Sequence, residues 1–470
     1  GAPKFPSTMN LGIVLREYVD APRSDLAEVI TTSLDAMASG GMYDHIGGGF
    51  SRYSVDEKWL VPHFEKMLYD QALLAGIYLQ AALVFDKPEW KQVVEETIDF
   101  VLTELSHGQG GFFSAQDADS LDDSGHSHEG HFYVWTAEQI RAVLPSELHT
   151  ATLEWYEITA QGNFEGSNIP ARLHHRGELL RPDAVERARK LLLDARNLRP
   201  HPGLDDKVIT EWNALMLSTL AQAAGALQRR DWLEAAIRNG EFLVRELRDD
   251  NERWLRSWQQ DGTPRARHAA LAADLAALVD AFTRLAEASG QARWIGHAQS
   301  AAEQLLDHFW DAQNGGLFTT ADDGEQLIVR QKDLTDNATP SANSTAALAL
   351  YRLAALTGVK RYEHIADQIL QLFSGIIHGA PSAFGNLLAA VHLRHVGMTE
   401  IVIAGTRDDL VAIVQSQWLP TSVLAWGEPY DSPLWQDRSG DRAFVCRQYA
   451  CQSPATTIEE LTASLRSTLS

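Results

Sequence analysis

Helix-period segments come in pairs along this sequence, one apolar on nearly every face and the other amphipathic, and that alternation constrains the fold more than any other feature. Between Leu26 and Met37 the apolar positions 26, 29, 30, 34 and 37 follow helical spacing, whereas Phe64 to Phe85 is apolar almost all round. The pairing recurs: Val208 to Leu227 with Trp232 to Leu247, Ala269 to Ala288 with Trp294 to Phe309, and Ser341 to Leu356 with Tyr362 to Phe373. A helix apolar on all faces has to be buried on all sides, and an amphipathic one is wet along one face. An inner ring and an outer ring of helices meet both demands. Starts of the apolar class fall roughly 60 to 70 residues apart in the second half, a spacing of repeated helical hairpins.

About a dozen such segments up to His395 predict a mainly α chain, a closed (α/α)6 toroid over residues 1–397, with Leu148 to Arg196 too irregular to place. Gly-Gly steps lead into aromatic or apolar residues at Gly40-Gly41, Gly110-Gly111 and Gly315-Gly316, and are read as left-handed caps of the amphipathic helices. Past Met398 the pattern changes. Ile401 to Gly405, Leu410 to Trp418, Val423 to Trp426 and Ala443 to Cys446 read as strand, helix, strand and strand, a small α/β unit over 398–470. The Ala404-Gly405-Thr406 turn carries no further glycine motif and is read as structural rather than as a phosphate cradle.

Composition narrows the function. At 470 residues and 45% hydrophobic the chain can build a sizeable core, and a net charge of −23 with no Lys/Arg stripe disfavours nucleic acid and anionic membranes as partners. No apolar run approaches the roughly 20 residues of a spanning helix, and the first residues lack the charged and apolar regions of a signal peptide. Cys446 and Cys451 stand alone, too few for a disulfide scaffold or a zinc site. They are read as two reduced structural cysteines, a local disulfide being the alternative, which fits a reducing compartment, the cytoplasm. No cofactor is expected.

The stretch from Gly40 to Asp70 gathers glycines, aromatics, histidines and carboxylates densely. Glycine lets backbone approach a ligand, aromatics offer apolar faces, and His and Glu exchange protons near neutral pH. His63, behind Pro62 at the expected start of a buried helix, is the candidate base. Glu65 and Tyr69 would share a helix face, and Lys66 with Asp70 would form a separate i,i+4 pair. Asp44, Glu65 or His45 would orient His63 or protonate the opposite side, Arg52 lies in the same block, and Tyr43, Trp59 and Trp212 would stack on a sugar ring. Asp117 and Asp119 follow the second Gly-Gly step, in a loop analogous to that of Asp44. Asp274 and Glu211 are the polar residues of the most apolar helices, and Glu211-Trp212-Asn213 opens one of them, so these too are expected to line a cavity. His126, His128 and His131, interleaved with Glu129, sit in a Gly/Ser/Asp loop without a fixed scaffold, and no metal site is expected there.

These phrases together resemble the thioredoxin-domain-containing proteins of the spermatogenesis-associated type. The matching residues are Ala2 to Pro6, Gly40 to Asp70, Gly111 to Ser120, Phe132 to Thr136, Gly162 to Gly166, Asp205 to Asn213, Ala338 to Ser341 with Asn343-Ser344, and Val445-Cys446 with Cys451-Gln452. Ala342 stands where that family usually has Gly. The resemblance implies an (α/α)6 toroid of the six-hairpin, glycosidase-like type, similar to N-acylglucosamine 2-epimerase and normally preceded by a thioredoxin-like domain. The chain begins where that domain should have just ended, which makes the missing domain an expected partner.

Three functions follow. The first is a sugar isomerase or epimerase in which His63 moves a proton next to a sugar carbonyl. The second is an inverting glycoside hydrolase using two carboxylates roughly 6.5 to 9.5 Å apart, Asp117 with Asp44 or Glu65. The third is a non-catalytic scaffold for the thioredoxin-like module, recognising a glycosylated or misfolded client.

Overall fold

The computed structural model describes residues 1–469 apart from 123, 264 and 325–327, without the side chains beyond 466. It is mainly helical and divides into two compact units, the first made of Gly1–Thr8, Ser24–His107 and Phe112–Asp206, the second of Met9–Arg23, Gly108–Gly111 and Lys207–Ser470.

In the second unit the helices apolar on most faces, Thr210–Ala226, Ala272–Ser289 and Ala342–Thr357, lie side by side, and each pairs with the amphipathic helix that follows it, Arg230–Glu246, Arg293–Phe309 and Lys360–Phe373. Burial follows the sequence pattern. Trp232, Phe242 and Trp294 are buried on the inward faces of the amphipathic helices, while Arg230 and Glu234 point to solvent.

Burying the start of an apolar helix leaves backbone amides that need acceptors, and carboxylates provide them. Asp274 accepts the amide of Leu271 at 2.7 Å and that of Glu211 at 2.9 Å, joining the starts of two neighbouring inner helices. Asp336 does the same one step on, accepting from Ser341 N at 2.9 Å, Ser344 Oγ at 2.7 Å and Asn386 N at 2.8 Å, where the Gly385–Val396 helix begins.

The first unit packs the Leu68–Phe85 and Pro88–Glu104 helices as another hairpin. Leu68–Phe85 is long and apolar enough to cross a membrane by length and composition, which the run-length reading had not expected, yet 67% of it is buried inside the fold. Its start also differs from expectation. Residues 62–67 are not helical: Pro62–His63 pairs with Tyr53–Ser54, and Lys66–Met67 pairs with Ala115–Gln116, which in turn pairs with Leu204–Asp205. Glu65 therefore shares no helix face with Tyr69, and Lys66 bonds Asp44 rather than Asp70.

None of the Gly-Gly steps is a left-handed helix cap. Gly40 directly follows the Ser24–Ser39 helix and donates to Ala36 O at 3.1 Å, but its φ is not positive. The residues that follow Glu104 and Phe309 have φ of −111° and −72°, and the left-handed glycines lie further on. Gly49 and Gly316 each stand beside a side-chain amide. Gln71 accepts from Phe50 N and donates to Phe50 O, both at 2.7 Å, and Asn343 binds Leu317 in the same way at 2.7 and 3.2 Å. A Cβ on Gly49 or Gly316, both near +77° in φ, would stand 3.1 or 3.2 Å from that amide oxygen.

The C-terminal stretch forms a four-stranded sheet in which Thr399–Ala404, buried throughout, runs parallel to Ser422–Trp426 and antiparallel to Arg442–Arg447, with Ala450–Cys451 at the edge. Asp441 accepts Thr406 N at 3.0 Å and fills the space beside Gly405, so the Ala404-Gly405-Thr406 turn is occupied by the protein's own carboxylate. Cys446 and Cys451 are joined in a disulfide, which overturns the reading of two reduced cysteines. The reason is a two-residue turn at Gln448-Tyr449, both with positive φ, that sets the cysteines opposite each other. Neither turn residue is the Gly or Asn that normally announces such a hairpin.

Replacing Asn343 by Ala strands the N–H and C=O of Leu317 and the C=O of Asp333. The expected loss is about 2 to 4 kcal/mol, seen as a lower urea midpoint, with Gly316→Ala moving it in the same direction.

Candidate functional site

His63 sits on a two-residue strand with its ring stacked on Tyr53, the residue opposite, at 5.1 Å between centroids. Two carboxylates flank it. Nδ1 lies 2.8 Å from Glu129 Oε1 and Nε2 3.5 Å from Glu65 Oε2. Glu129 reaches His63 because the Asp119–Leu121 strand pairs with Ser127–Glu129 and carries it there, and it also accepts the amide of Phe64. Arg52 binds Glu65 at 3.2 Å through its side chain and at 2.8 Å through its backbone N–H, and interacts with Tyr69, whose hydroxyl burial pushes up to about 12. Asp70 lies beneath, buried, with Oδ2 lacking a hydrogen-bond partner among the described residues. Burial raises it well above the usual carboxylate range, Arg52 opposing and Glu65 reinforcing. His63, Glu65, Arg52, Tyr69 and Asp70 thus lie close together, though not through the helix-face pairings read from the sequence. Glu129 and Tyr53 were missed, Glu129 because it is embedded in a histidine-rich loop set aside as a whole.

Asp44 belongs to a different arrangement. Its Oδ1 accepts from Ile46 N, Gly47 N and Arg196, and its Oδ2 binds Lys66, which also donates to Gly48 O. Burial alone would raise its pKa, but the two cations hold it far below the ordinary value. Such a carboxylate neither donates nor collects a proton at neutral pH. The loop of Asp311 repeats the design: Oδ1 accepts from Gln313 N and Asn314 N, and Lys332 bridges Oδ2 and Gly315 O. Asp44 is a loop organiser with a counterpart in the second unit.

In the second unit Glu211 and Asp274, expected to line a cavity, are joined by Arg256 on the Leu255–Gln259 strand, which the sequence reading missed in a polar strand with no helical periodicity. Arg256 donates to both oxygens of Asp274 at 3.0 Å and lies 3.6 Å from Glu211. Burial raises Asp274, with Arg256 and the Leu271 and Glu211 amides pulling it back. Burial and the Asp274 charge push Glu211 to about 7, against Arg256 and Thr339. A carboxylic acid titrating at neutral pH is equipped for general acid or base work.

The remaining candidates lie elsewhere. Tyr43 is buried and donates to Glu96, and His45 is buried against Gly40 O at 3.0 Å, with burial lowering it to about 4, so neither faces a ligand. Trp59 is half-buried beside Lys4. Asp117 and Asp119 are exposed, Asp117 accepting the amide of Ala118. Asn213 is buried against Ile209 O and Asn239, and Trp212 is half-buried on the same helix. His128 bonds Asp122 and His126 bonds Ser124, so that tract is spent on its own turn. His308, Asp322 and Asp323 cluster more tightly, but Arg253 is paired into them.

Sequence comparison sets this geometry in a family context. Human spermatogenesis-associated protein 20 is 32% identical across 98% of this chain and 66% of its own length, and the mouse protein of that name is 31% identical across 98% and 65%. This chain is a homologue of spermatogenesis-associated protein 20. It spans just under two thirds of the length of those relatives. No family model matches it. Among solved structures, a D-mannose isomerase superposes with a TM-score of 0.50 at 11% identity, covering 99% of this chain and 87% of the other. That likeness shows the fold, the six-hairpin, glycosidase-like helical class expected from the helix pattern.

Glu211 binds a proton more tightly in the folded chain than the usual 4.5 of an unfolded one. The unfolded state therefore carries fewer protons between about 4.5 and 7, and stability falls as pH rises through that window. Glu211→Gln is expected to flatten this slope, by at most about 1.4 kcal/mol per pH unit, in urea titrations at successive pH values.

Proposed function

We propose that the chain is a sugar isomerase or epimerase that transfers a proton at the carbon beside a sugar carbonyl, with His63 as the base. The observation that supports this reading is the imidazole held between Glu129 and Glu65. When Nδ1 donates to Glu129, the ring is fixed in the tautomer whose Nε2 lone pair accepts a proton, the arrangement of an oriented general base. Removing the proton next to the carbonyl leaves an enediolate whose negative charge Arg52 is suited to balance. Its reprotonation at the neighbouring carbon needs an acid, and Asp70, whose proton burial holds more firmly than in an ordinary carboxylic acid, is suited to that role. Tyr53 and Trp59 offer partly exposed apolar faces for the sugar ring. The fold shared with a D-mannose isomerase suits this chemistry without selecting the sugar.

Glu211 favours a second reading, an inverting glycoside hydrolase, because a general acid that protonates a leaving oxygen needs a pKa raised toward neutrality. Asp44, neutralised by Lys66 and Arg196, is unsuited to be its partner.

Deuterium uptake from heavy water into a panel of aldoses, ketoses and amino sugars, D-mannose included, tests the first reading. Exchange is expected with the native chain and a loss of about a hundredfold or more in His63→Ala, with Glu129→Gln shifting the pH profile. Exchange that persists in His63→Ala removes that residue from the role. Release of new reducing ends without exchange, abolished by Glu211→Gln, establishes hydrolysis instead.

A further inference from the structure

The Cys446–Cys451 disulfide adds little to the fold that holds it. Backbone bonds already close the same hairpin: Gln452 N donates to Val445 O at 2.9 Å, and Ala443 and Ala455 exchange two bonds at 2.8 Å. The bridge spans a sequence separation of only 5 residues, a loop too short for a crosslink to remove much chain entropy. Its two sulfurs differ in access. Cys446 is buried on a central strand, whereas Cys451 lies exposed on the edge strand.

Beside both stands Arg438. Its Nη2 is 2.9 Å from Cys451 Sγ and 3.6 Å from Cys446 Sγ, and its guanidinium is fixed by the carbonyls of Pro433, Leu434 and Tyr449. A planar cation anchored by three carbonyls and directed at two sulfurs is placed for charge that appears when the bond opens, since a thiolate next to Arg is stabilised and leaves more readily. Glu400 is the opposing charge, in register with Cys446 across the sheet and accepting Tyr449 N. Lys360 and Glu363 sit against the Tyr449 side of the turn.

We propose that Cys446 and Cys451 form a redox-active pair that exchanges with an external dithiol through the exposed sulfur, Arg438 holding each thiolate as it forms. A thiolate of the dithiol attacks Cys451 Sγ, the Cys446–Cys451 bond breaks, and Cys446 leaves as a thiolate within reach of Arg438. The second thiol of the reductant then attacks its own sulfur in the mixed disulfide and expels the Cys451 thiolate. Two electrons pass to the protein, the reductant becomes a cyclic or paired disulfide, and its two protons end on the two cysteines. A monothiol fails at the second step, because the Cys446 thiolate returns to Cys451 and expels it.

The test uses the full native chain in dithiothreitol redox buffers at pH 7, without denaturant, and counts free thiols by maleimide mass tagging. Both cysteines are expected to become reduced together and to reoxidise on dilution into oxidised dithiothreitol, with the circular dichroism spectrum unchanged. Glutathione at the same thiol concentration is expected to leave the pair oxidised. Arg438→Gln should slow reduction about tenfold, while Arg438→Lys, which keeps the charge, should retain most of the rate. If tagging needs denaturant, if glutathione reduces the pair as well as dithiothreitol, or if both Arg438 variants react like the native chain, the proposal is overturned.

Discussion

Much of this structure depends on one recurring interaction, a side-chain amide or carboxylate that takes up backbone groups where an apolar helix meets a loop. Inner helices buried on every face cannot rely on water for their first amides. Asp274 and Asp336 each serve two adjacent helix starts, and Gln71 and Asn343 each close the loop that arrives beside their helix. Asp44 with Lys66, and Asp311 with Lys332, hold those same loops in shape from the other end. A large share of the carboxylates that look catalytic in the sequence are therefore occupied in holding backbone.

That division explains which groups remain for chemistry. Asp44 is stripped of proton affinity by two cations, whereas Asp70 and Glu211, buried with less compensation, hold their protons more firmly than usual. Carboxyl groups are thereby sorted by environment into a permanent anion, one that holds its proton well above the ordinary range and one poised near pH 7. His63 differs from these in geometry, with a carboxylate beside each ring nitrogen.

The helical pairs were legible because a buried helix and a half-wet one differ in periodicity, and Thr210–Ala226 or Lys360–Phe373 fall within a few residues of the positions read from sequence. The same logic singled out Glu211 and Asp274 as polar residues stranded in apolar helices, and Arg256 bridges them. It failed where spacing was given a helical meaning that the backbone does not have: Lys66 and Asp70 are four apart, but a strand intervenes and Lys66 points to Asp44. Gly315-Gly316 was misread as a cap because the amide beside it, that of Asn343, binds Leu317 across 26 residues of sequence. Glu129 and Arg256 were invisible for a related reason, since each reaches its site by strand pairing that local sequence does not announce. The stretch from Leu148 to Arg196 resisted placement because its helices, such as His149–Trp155, are short and joined by long turns around their own small core.

The amide clamp grips only main-chain atoms. Phe50 in one loop and Leu317 in the other are held alike although one is aromatic and the other aliphatic. Loops held in this way can change their chemical vocabulary residue by residue while their grammar stays fixed, so relatives that share the clamp are free to diverge in what those loops carry long before they diverge in backbone path.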